Sequence, residues 1–221
     1  MLQAYLHNKG LENTEDSKTS SVCGVLQYLP DNVILSLINK LLGNKLPNLS
    51  EENITKFEFW PKWDATGTIN ERYVEPDIYI ETSNFDIIIE VKKNDTTNNP
   101  QYFEQWEKEI LALQNEKGNK TNEIIFLTLG GNDFSKSDED LDINGIRIYP
   151  ISWFMLYQAI DAIKNKVSQS NYVRLLSDVE HFMNRDGYNP IKWLDELCSS
   201  NKYSFPEQIN LPQIWKVKQF H

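Results

Sequence analysis

The amino-acid sequence predicts one α/β domain, with a mixed central β-sheet flanked by helices and a helical C-terminal extension. Three observations carry this prediction. Apolar residues alternate in segments 73–81 and 85–93, as they do in a β-hairpin. Residues 99–118 have the apolar spacing of an amphipathic helix, and EIIFLTLGG from residue 123 predicts a short buried strand. A hairpin followed by a crossover helix and another strand implies a mixed sheet with helices packed against it.

Two helices and a strand are predicted before the hairpin. SSVCGVLQYLP, from Ser20, places its apolar residues at helical spacing. DNVILSLINKLLG predicts a second helix, which Asp31 would cap and Gly43 would end. FEFWPKWD is aromatic and alternating, so a strand is expected, with an edge or a bulge at Pro61.

After residue 145 the sequence predicts one more strand, in GIRIYPIS, and then two helices. The segment from Tyr188 onward carries three prolines and predicts irregular structure. We therefore assign residues 1–150 to the core and residues 151–221 to a helical extension packed on the same domain.

Composition excludes several classes of function. The net charge of −10 argues against DNA binding through a broad basic surface. The three histidines are too far apart for a zinc site, and no phosphate-binding glycine loop is present. No apolar run is long enough to cross a membrane, and the N-terminus lacks the pattern of a secretory signal. Two cysteines without a C-x-x-C spacing predict free thiols and a cytoplasmic location.

The hairpin carries charged residues on one predicted face. If Ser83-Asn84 is a two-residue turn, Asp77 lies opposite Glu90 and Glu75 lies opposite Lys92. Because side chains alternate along a strand, one face then holds Asp77, Tyr79, Glu90 and Lys92, and the other holds Ile78, Ile80, Ile87, Ile89 and Val91.

Two opposed carboxylates repel each other unless a cation lies between them. A divalent metal would make the pair favourable, since hard cations prefer oxygen ligands, and the ammonium of Lys92 would stand beside the same point. The alternative interpretation is the wet face of a half-exposed sheet, which the acidic Glu81 and Asp86 on that face support.

These residues resemble the motif of the PD-(D/E)XK nuclease superfamily: Pro76-Asp77, twelve residues, and then Glu90-Val91-Lys92. The predicted order of elements over residues 12–150 also resembles the αβββαβ core of the restriction-endonuclease-like fold. The resemblance implies that Asp77 and Glu90, with the Val91 carbonyl, bind Mg²⁺, for which Mn²⁺ would substitute. Lys92 would then orient or activate the attacking water and stabilise the charged transition state.

The resemblance also implies two outlying residues. Some members carry a glutamine on the helix after the motif, and Gln101 or Gln105 would fill that role, with Gln101 favoured by the segment QYFEQW. Some members place a glutamate on the first helix, which suggests Glu15. The alternatives are an exposed or capping glutamine, and an acid (Glu15 or Asp16) that only caps its helix or favours its dipole.

The charged face of the hairpin and the resemblance together predict a Mg²⁺-dependent nuclease that acts on DNA, and the resemblance implies a setting such as restriction, phage defence or repair. The resemblance leads us to expect a homodimer or a larger protein complex. We expect no membrane partner. A non-catalytic binding or assembly module on the same fold is the main alternative, which the acidic charge favours. The third candidate function is a metal-dependent hydrolase of a substrate other than nucleic acid.

Four tryptophans are expected to pack in the core or at its edge rather than stack on bases: Trp60, Trp63, Trp106 and Trp153.

Overall fold

A computed structural model of the chain describes residues 14–70, 72–96, 98–118, 122–135 and 141–189. The helices are α1 (Glu15–Leu26), α2 (Asp31–Leu41), α3 (Phe103–Lys117), α4 (Trp153–Lys164) and α5 (Ser170–Arg185), and a short 3-10 helix spans Pro47–Glu51. The strands are β1 (Lys56–Phe59), β2 (Trp63–Asp64), β3 (Tyr73–Val74), β4 (Ile78–Glu81), β5 (Phe85–Val91), β6 (Glu123–Leu129), β7 (Asp142–Ile143) and β8 (Ile146–Ile151).

Six of these strands form one mixed sheet in the order β1-β4-β5-β6-β8-β7. β1, β4 and β5 are antiparallel neighbours, whereas β5, β6 and β8 run parallel to one another. β2 and β3 form a separate two-stranded ribbon. The predicted α/β class with a mixed central sheet is confirmed.

The hairpin has the predicted register. Ile78 pairs with Ile89 and Glu81 pairs with Asp86, so Ser83-Asn84 is the two-residue turn. The ladder of β4 begins only at Ile78, however, because Pro76 has no N–H to donate and the chain before it joins the ribbon instead. The predicted pairing of Glu75 with Lys92 across the hairpin is therefore wrong, and Asp77 and Glu90, which were predicted to pair, lie just beyond the last pair of the ladder, Ile78 with Ile89.

Both faces of the sheet are covered. Ile78, Ile80, Ile87 and Val91 pack against α1, α2, α4 and α5. Tyr79 and Ile88 lie on the opposite face, against α3 and the ribbon, and expose 1% and 0% of their surface. The interpretation of that face as a wet surface is wrong, because α3 buries it, and even Asp86 is only 2% exposed.

The ends of the first two helices differ in part from the sequence prediction. α1 begins at Glu15, and Thr14 is its cap, since the Thr14 side chain accepts from the Ser17 N–H. Asp31 is the first residue of α2 and does not cap it. Its carboxylate accepts instead from the Ile54 N–H, at 3.0 Å. Gly43, with φ +70°, follows the end of α2 as predicted.

The C-terminal part of the described chain is helical, and its apolar faces pack on the same core as α1 and α2. The compact unit ends at Tyr188, and residues 190–221 of the predicted extension, including Cys198, lie outside the described residues. Cys23 is a buried free thiol. Among the described residues, no helix has the length and apolarity needed to cross a membrane. The four tryptophans singled out above are buried, as predicted.

Candidate metal centre at the open end of the hairpin

Three acidic side chains converge where the hairpin opens. One carboxylate oxygen from each of Glu15, Asp77 and Glu90 lies within 4.8 Å of the other two. Lys92 Nζ lies 2.5 Å from Glu90 Oε1 and 3.8 Å from Glu15 Oε1. The structure thus brings together four of the five side chains that the sequence predicted for the site.

Asp77 is held by the end of β1. Its Oδ1 accepts from the indole Nε1–H of Trp60 at 2.9 Å, and its Oδ2 accepts from the Val91 N–H at 2.8 Å. Trp60 has φ +48°, which is rare for a residue with a side chain, and its N–H donates to the Asp77 carbonyl. The sequence prediction assigned Trp60 only to packing and missed its role as the residue that orients Asp77.

Glu15 reaches the site because α1 is fastened to the chain just after β5. Glu15 Oε2 accepts from the Lys93 N–H and from Asn99 Nδ2–H, both at 3.1 Å. One turn later Lys18, which is 3% exposed, donates from Nζ to the Lys93 carbonyl at 2.9 Å. Both backbone groups of Lys93 are therefore bound by α1, which fixes Glu15 next to Lys92.

The backbone of Lys92 is held in place by hydrogen bonds and by close packing against the segment that follows β6. Its N–H donates to the Leu129 carbonyl at 2.7 Å, and its carbonyl accepts from Trp153 Nε1–H at 2.8 Å. Gly130 and Gly131 have φ +76° and +63°. A Cβ at Gly130 would lie 2.6 Å from the Lys92 carbonyl oxygen, and one at Gly131 would lie 3.0 Å from Lys92 Cβ. Only glycines allow this packing after β6.

Gln101 precedes α3 and supports the backbone of the site. Its Nε2–H donates to the Gly130 carbonyl at 3.1 Å and, at 3.4 Å, to the Glu90 carbonyl. Its Oε1 accepts from Trp106 Nε1–H at 3.1 Å. The predicted helix over residues 99–118 would include Gln101, but α3 starts two residues after Gln101, whose N–H is bound to the Gly131 carbonyl.

Gln105 and Glu109 point from α3 to the same site. Gln105 Oε1 lies 3.5 Å from Lys92 Nζ, and its Nε2–H donates to Glu109 Oε1 at 3.0 Å. Glu109 is 1% exposed, and its carboxyl group is in hydrogen-bonding contact with that of Glu90. The sequence prediction missed Glu109. The signal for it was an acid within the apolar stripe of an amphipathic helix, next to Trp106, Ile110 and Leu113.

Burial sets the electrostatics of the site. Desolvation, followed by the charge of Glu90, raises the pKa of Asp77 well above its usual range. Desolvation and the neighbouring Glu109 do the same to the pKa of Glu90, and desolvation raises the pKa of Glu109 to about 8. Burial alone would lower the pKa of Lys92, but the carboxylates of Glu90 and Glu15 outweigh it and raise that pKa. The site holds more negative charge than its lysine balances.

The motif residues themselves are buried, and two margins of the site are more open to solvent. Glu15 exposes 28% of its side chain, whereas Asp77, Glu90 and Lys92 expose 7%, 2% and 6% of their residue surface. On the other side a cleft of about 550 Å³ borders the site, lined by Glu75, Gln105, Glu109 and the exposed rings of Tyr73 and Tyr102, among others. Solvent therefore reaches the margins of the site at Glu15 and at Glu109, on either side of the buried motif residues.

The donor set suits a hard divalent cation. Glu15, Asp77 and Glu90 offer carboxylate oxygens, and the Val91 carbonyl oxygen lies 3.4 Å from Lys92 Nζ, next to them. Mg²⁺ and Mn²⁺ prefer such oxygen ligands. Desolvation and, after it, repulsion between carboxylates raise the pKa values of Asp77 and Glu90, and a bound cation would remove that repulsion.

Comparison with known proteins gives one relative along nearly the whole chain. No family model and no solved structure matches the chain. The chain is 29% identical, over 248 aligned positions, to the uncharacterized protein PM0110 of Pasteurella multocida (strain Pm70), and the alignment covers 97% of this chain and 93% of that protein. Because that relative is itself uncharacterized, the functional argument depends on the geometry of the site.

Proposed function

We propose that the protein is a Mg²⁺-dependent nuclease that hydrolyses phosphodiester bonds in DNA. The observation that carries this proposal is the convergence of Glu15, Asp77 and Glu90 within 4.8 Å, with the ammonium group of Lys92 against Glu90. Acidic oxygens for a cation and a fixed positive charge beside them are what hydrolysis of a phosphodiester requires.

The carboxylates of Glu15, Asp77 and Glu90, with the Val91 carbonyl, would hold the cation. When bound, Mg²⁺ supplies Lewis-acid polarisation of a phosphoryl oxygen and neutralises charge that develops there. The protein prepares the ligands in advance. Trp60 and the Val91 N–H fix both oxygens of Asp77, and the Lys93 N–H fixes one oxygen of Glu15, so little ordering remains when the substrate binds.

Lys92 supplies a permanent positive charge. Since Glu90 and Glu15 raise its pKa, the side chain remains an ammonium group at neutral pH. In that state it orients a water molecule and donates hydrogen bonds to a phosphate oxygen, and it is not a proton acceptor. Its contact with Gln105 Oε1 restrains the ammonium group on the side of the cleft.

Two further features support a nucleic-acid substrate. The order α2, β1, β4, β5, α3, β6, with an antiparallel trio followed by a parallel strand, resembles the αβββαβ core of the PD-(D/E)XK superfamily. Tyr73 and Tyr102, which are 41% and 52% exposed, line the cleft beside the site, and exposed rings of this kind stack on bases.

The net charge of −10 favours a second candidate, a non-catalytic assembly module on this fold. One experiment separates the two. Labelled single- and double-stranded DNA is incubated with the protein in Mg²⁺, in Mn²⁺ and in EDTA. We expect cleavage with either metal and none in EDTA, and a loss of about 10²-fold or more in Asp77→Asn and in Lys92→Ala, because each removes charge stabilisation of the transition state.

The matched control is Asp86→Asn, which makes the same substitution at a buried aspartate near the turn of the hairpin, at the end away from the site. It should cleave like the wild-type protein at temperatures at which it is folded. Metal binding is measured separately, as a rise in the midpoint of thermal unfolding on addition of Mn²⁺ that Asp77→Asn abolishes. Wild-type protein that binds the metal but cleaves neither DNA would contradict the nuclease and favour the assembly module.

A further inference from the structure

The cleft beside the candidate metal centre has walls that suit a neutral ring better than a phosphate group. Its volume of about 550 Å³ is that of a small-molecule site. The charged side chains that line it are Glu75, Glu104, Glu109 and Lys108. A phosphate group would meet more negative than positive charge there, whereas a nucleobase, which is neutral, would not be repelled.

Two exposed aromatic rings line the same cleft on fixed backbone. Tyr102 immediately precedes α3, and its carbonyl accepts from the N–H groups of Gln105 and Trp106 at 3.1 and 3.3 Å. Tyr73 lies in β3, and its carbonyl accepts from Asn70 Nδ2–H at 3.1 Å. Rings held in this way can stack on a base of any sequence, and little of the protein has to be ordered on binding.

An unpaired base fits these walls and a paired one does not. In a duplex the faces of each base are covered by its neighbours, so a ring can stack on a base only after that base leaves the duplex. The amino groups on base edges that the carboxylates of Glu75 and Glu104 could accept from are also partly used in pairing. The catalytic groups are recessed, and a stiff duplex enters a recess less easily than a single strand does.

We propose that the cleft binds one unpaired base of the substrate strand, against Tyr73 and Tyr102, while the adjoining phosphate lies at the metal centre. The substrate class is then single-stranded DNA, or an unpaired end or loop, rather than intact duplex. This inference rests on the proposed function. Gln105 connects the two positions, because it lines the cleft and its Oε1 lies 3.5 Å from Lys92 Nζ.

The first test compares three labelled DNAs by fluorescence anisotropy: a single strand, its duplex, and an abasic strand of the same length. Ca²⁺ replaces Mg²⁺ because it takes the same kind of oxygen ligands, and electrophoresis checks that the strands remain intact. The abasic strand keeps the phosphates and loses the bases. We expect the single strand to bind about tenfold more tightly than the other two. Equal affinity for the single strand and the abasic strand overturns the inference.

The second test removes the rings. Tyr73→Ala and Tyr102→Ala should each weaken binding of the single strand by about tenfold and leave binding of the abasic strand unchanged. Tyr102→Phe keeps the ring and should bind like the wild-type protein. The matched control is Tyr28→Ala, at a tyrosine that is 57% exposed and outside the cleft, and its affinity should not change. Unchanged affinity in both cleft variants overturns the inference.

The two proposals fail separately. Ring-dependent binding of the single strand, without cleavage of any DNA in Mg²⁺ or Mn²⁺, contradicts only the nuclease. Cleavage that Asp77→Asn abolishes, with affinity that depends on neither ring, contradicts only the base-binding cleft.

Discussion

The two ends of the β4–β5 hairpin each hold acids beside a single lysine, and they differ in how many acids that lysine serves. At the turn, Glu81 and Asp86 are directly opposed, and Lys117 Nζ lies 2.8 Å from Glu81 Oε2 and 3.0 Å from Asp86 Oδ1. The Tyr79 hydroxyl donates to Asp86 and, at 3.3 Å, contacts Glu81 Oε2. The two acids at this end share one ammonium group and one hydroxyl within the protein.

At the open end one lysine serves four acids. Glu15, Asp77, Glu90 and Glu109 surround Lys92, and the pKa values of the three most buried acids are raised. An opposed pair of buried acids is thus not by itself a sign of function in this hairpin. The distinguishing feature is the larger acidic excess at the open end, four acids against one lysine, which is typical of binding and catalytic sites.

Replacing each lysine by methionine should give the largest difference between the two ends of the hairpin. Lys92→Met should lower DNA cleavage by about 10²-fold or more, because it removes the positive charge beside the reacting phosphate. Lys117→Met should leave cleavage nearly unchanged but lower the free energy of unfolding by about 2 kcal/mol, since Glu81 and Asp86 lose their shared partner. Cleavage rates at a temperature at which both variants are folded, and urea denaturation, measure the two effects. Similar losses of cleavage in both variants would contradict the distinction.

The acidic excess should also make the metal-free protein less stable as pH rises. The Glu109 carboxyl group, which faces Asp77, Glu90 and Lys92, has a pKa of about 8 in the folded chain against its usual 4.5. Because the folded state holds the proton more tightly, this group favours folding least above pH 8, and the loss accumulates between about pH 4.5 and 8.

We therefore expect the free energy of unfolding in EDTA to fall by on the order of 2 kcal/mol more in wild type than in Glu109→Gln between pH 5 and pH 8. Urea denaturation at the two pH values measures this difference. Saturating Mg²⁺ should reduce it, because a bound cation favours the ionised carboxylates. Parallel pH profiles for the two proteins in EDTA would show that Glu109 does not carry the effect.

The hairpin and its charged residues could be predicted from sequence because they depend on local rules. A two-residue turn at Ser83-Asn84 fixes which residues are opposed, and the period of two assigns each side chain to a face. These rules placed Asp77, Glu90 and Lys92 at one end without any knowledge of the rest of the chain.

The supporting residues could not be predicted in this way, because tertiary contacts set them. Trp60 reaches Asp77 only because the backbone after β1 enters the left-handed region, and the sequence suggested a break there only through Pro61. Glu109 is one acid among several on α3, and only the packing of that helix on the sheet selects it for burial. The covering helix also explains why the acidic Glu81 and Asp86 wrongly indicated an exposed face.

The smallest expected effects separate the two glutamines, which sequence alone left as alternatives. Gln101→Ala removes hydrogen bonds to the Gly130 carbonyl and from Trp106 Nε1–H, so it should lower the free energy of unfolding by about 1–2 kcal/mol. At a permissive temperature the cleavage rate of Gln101→Ala should remain close to that of the wild type.

Gln105→Ala should do the opposite, with little loss of stability and about tenfold slower cleavage. The substitution removes the hydrogen bond from Gln105 to Glu109 and the contact between Gln105 and Lys92. Thermal unfolding and cleavage assays on both variants measure the contrast, and a larger loss of cleavage in Gln101→Ala would return the role of the helix glutamine to Gln101.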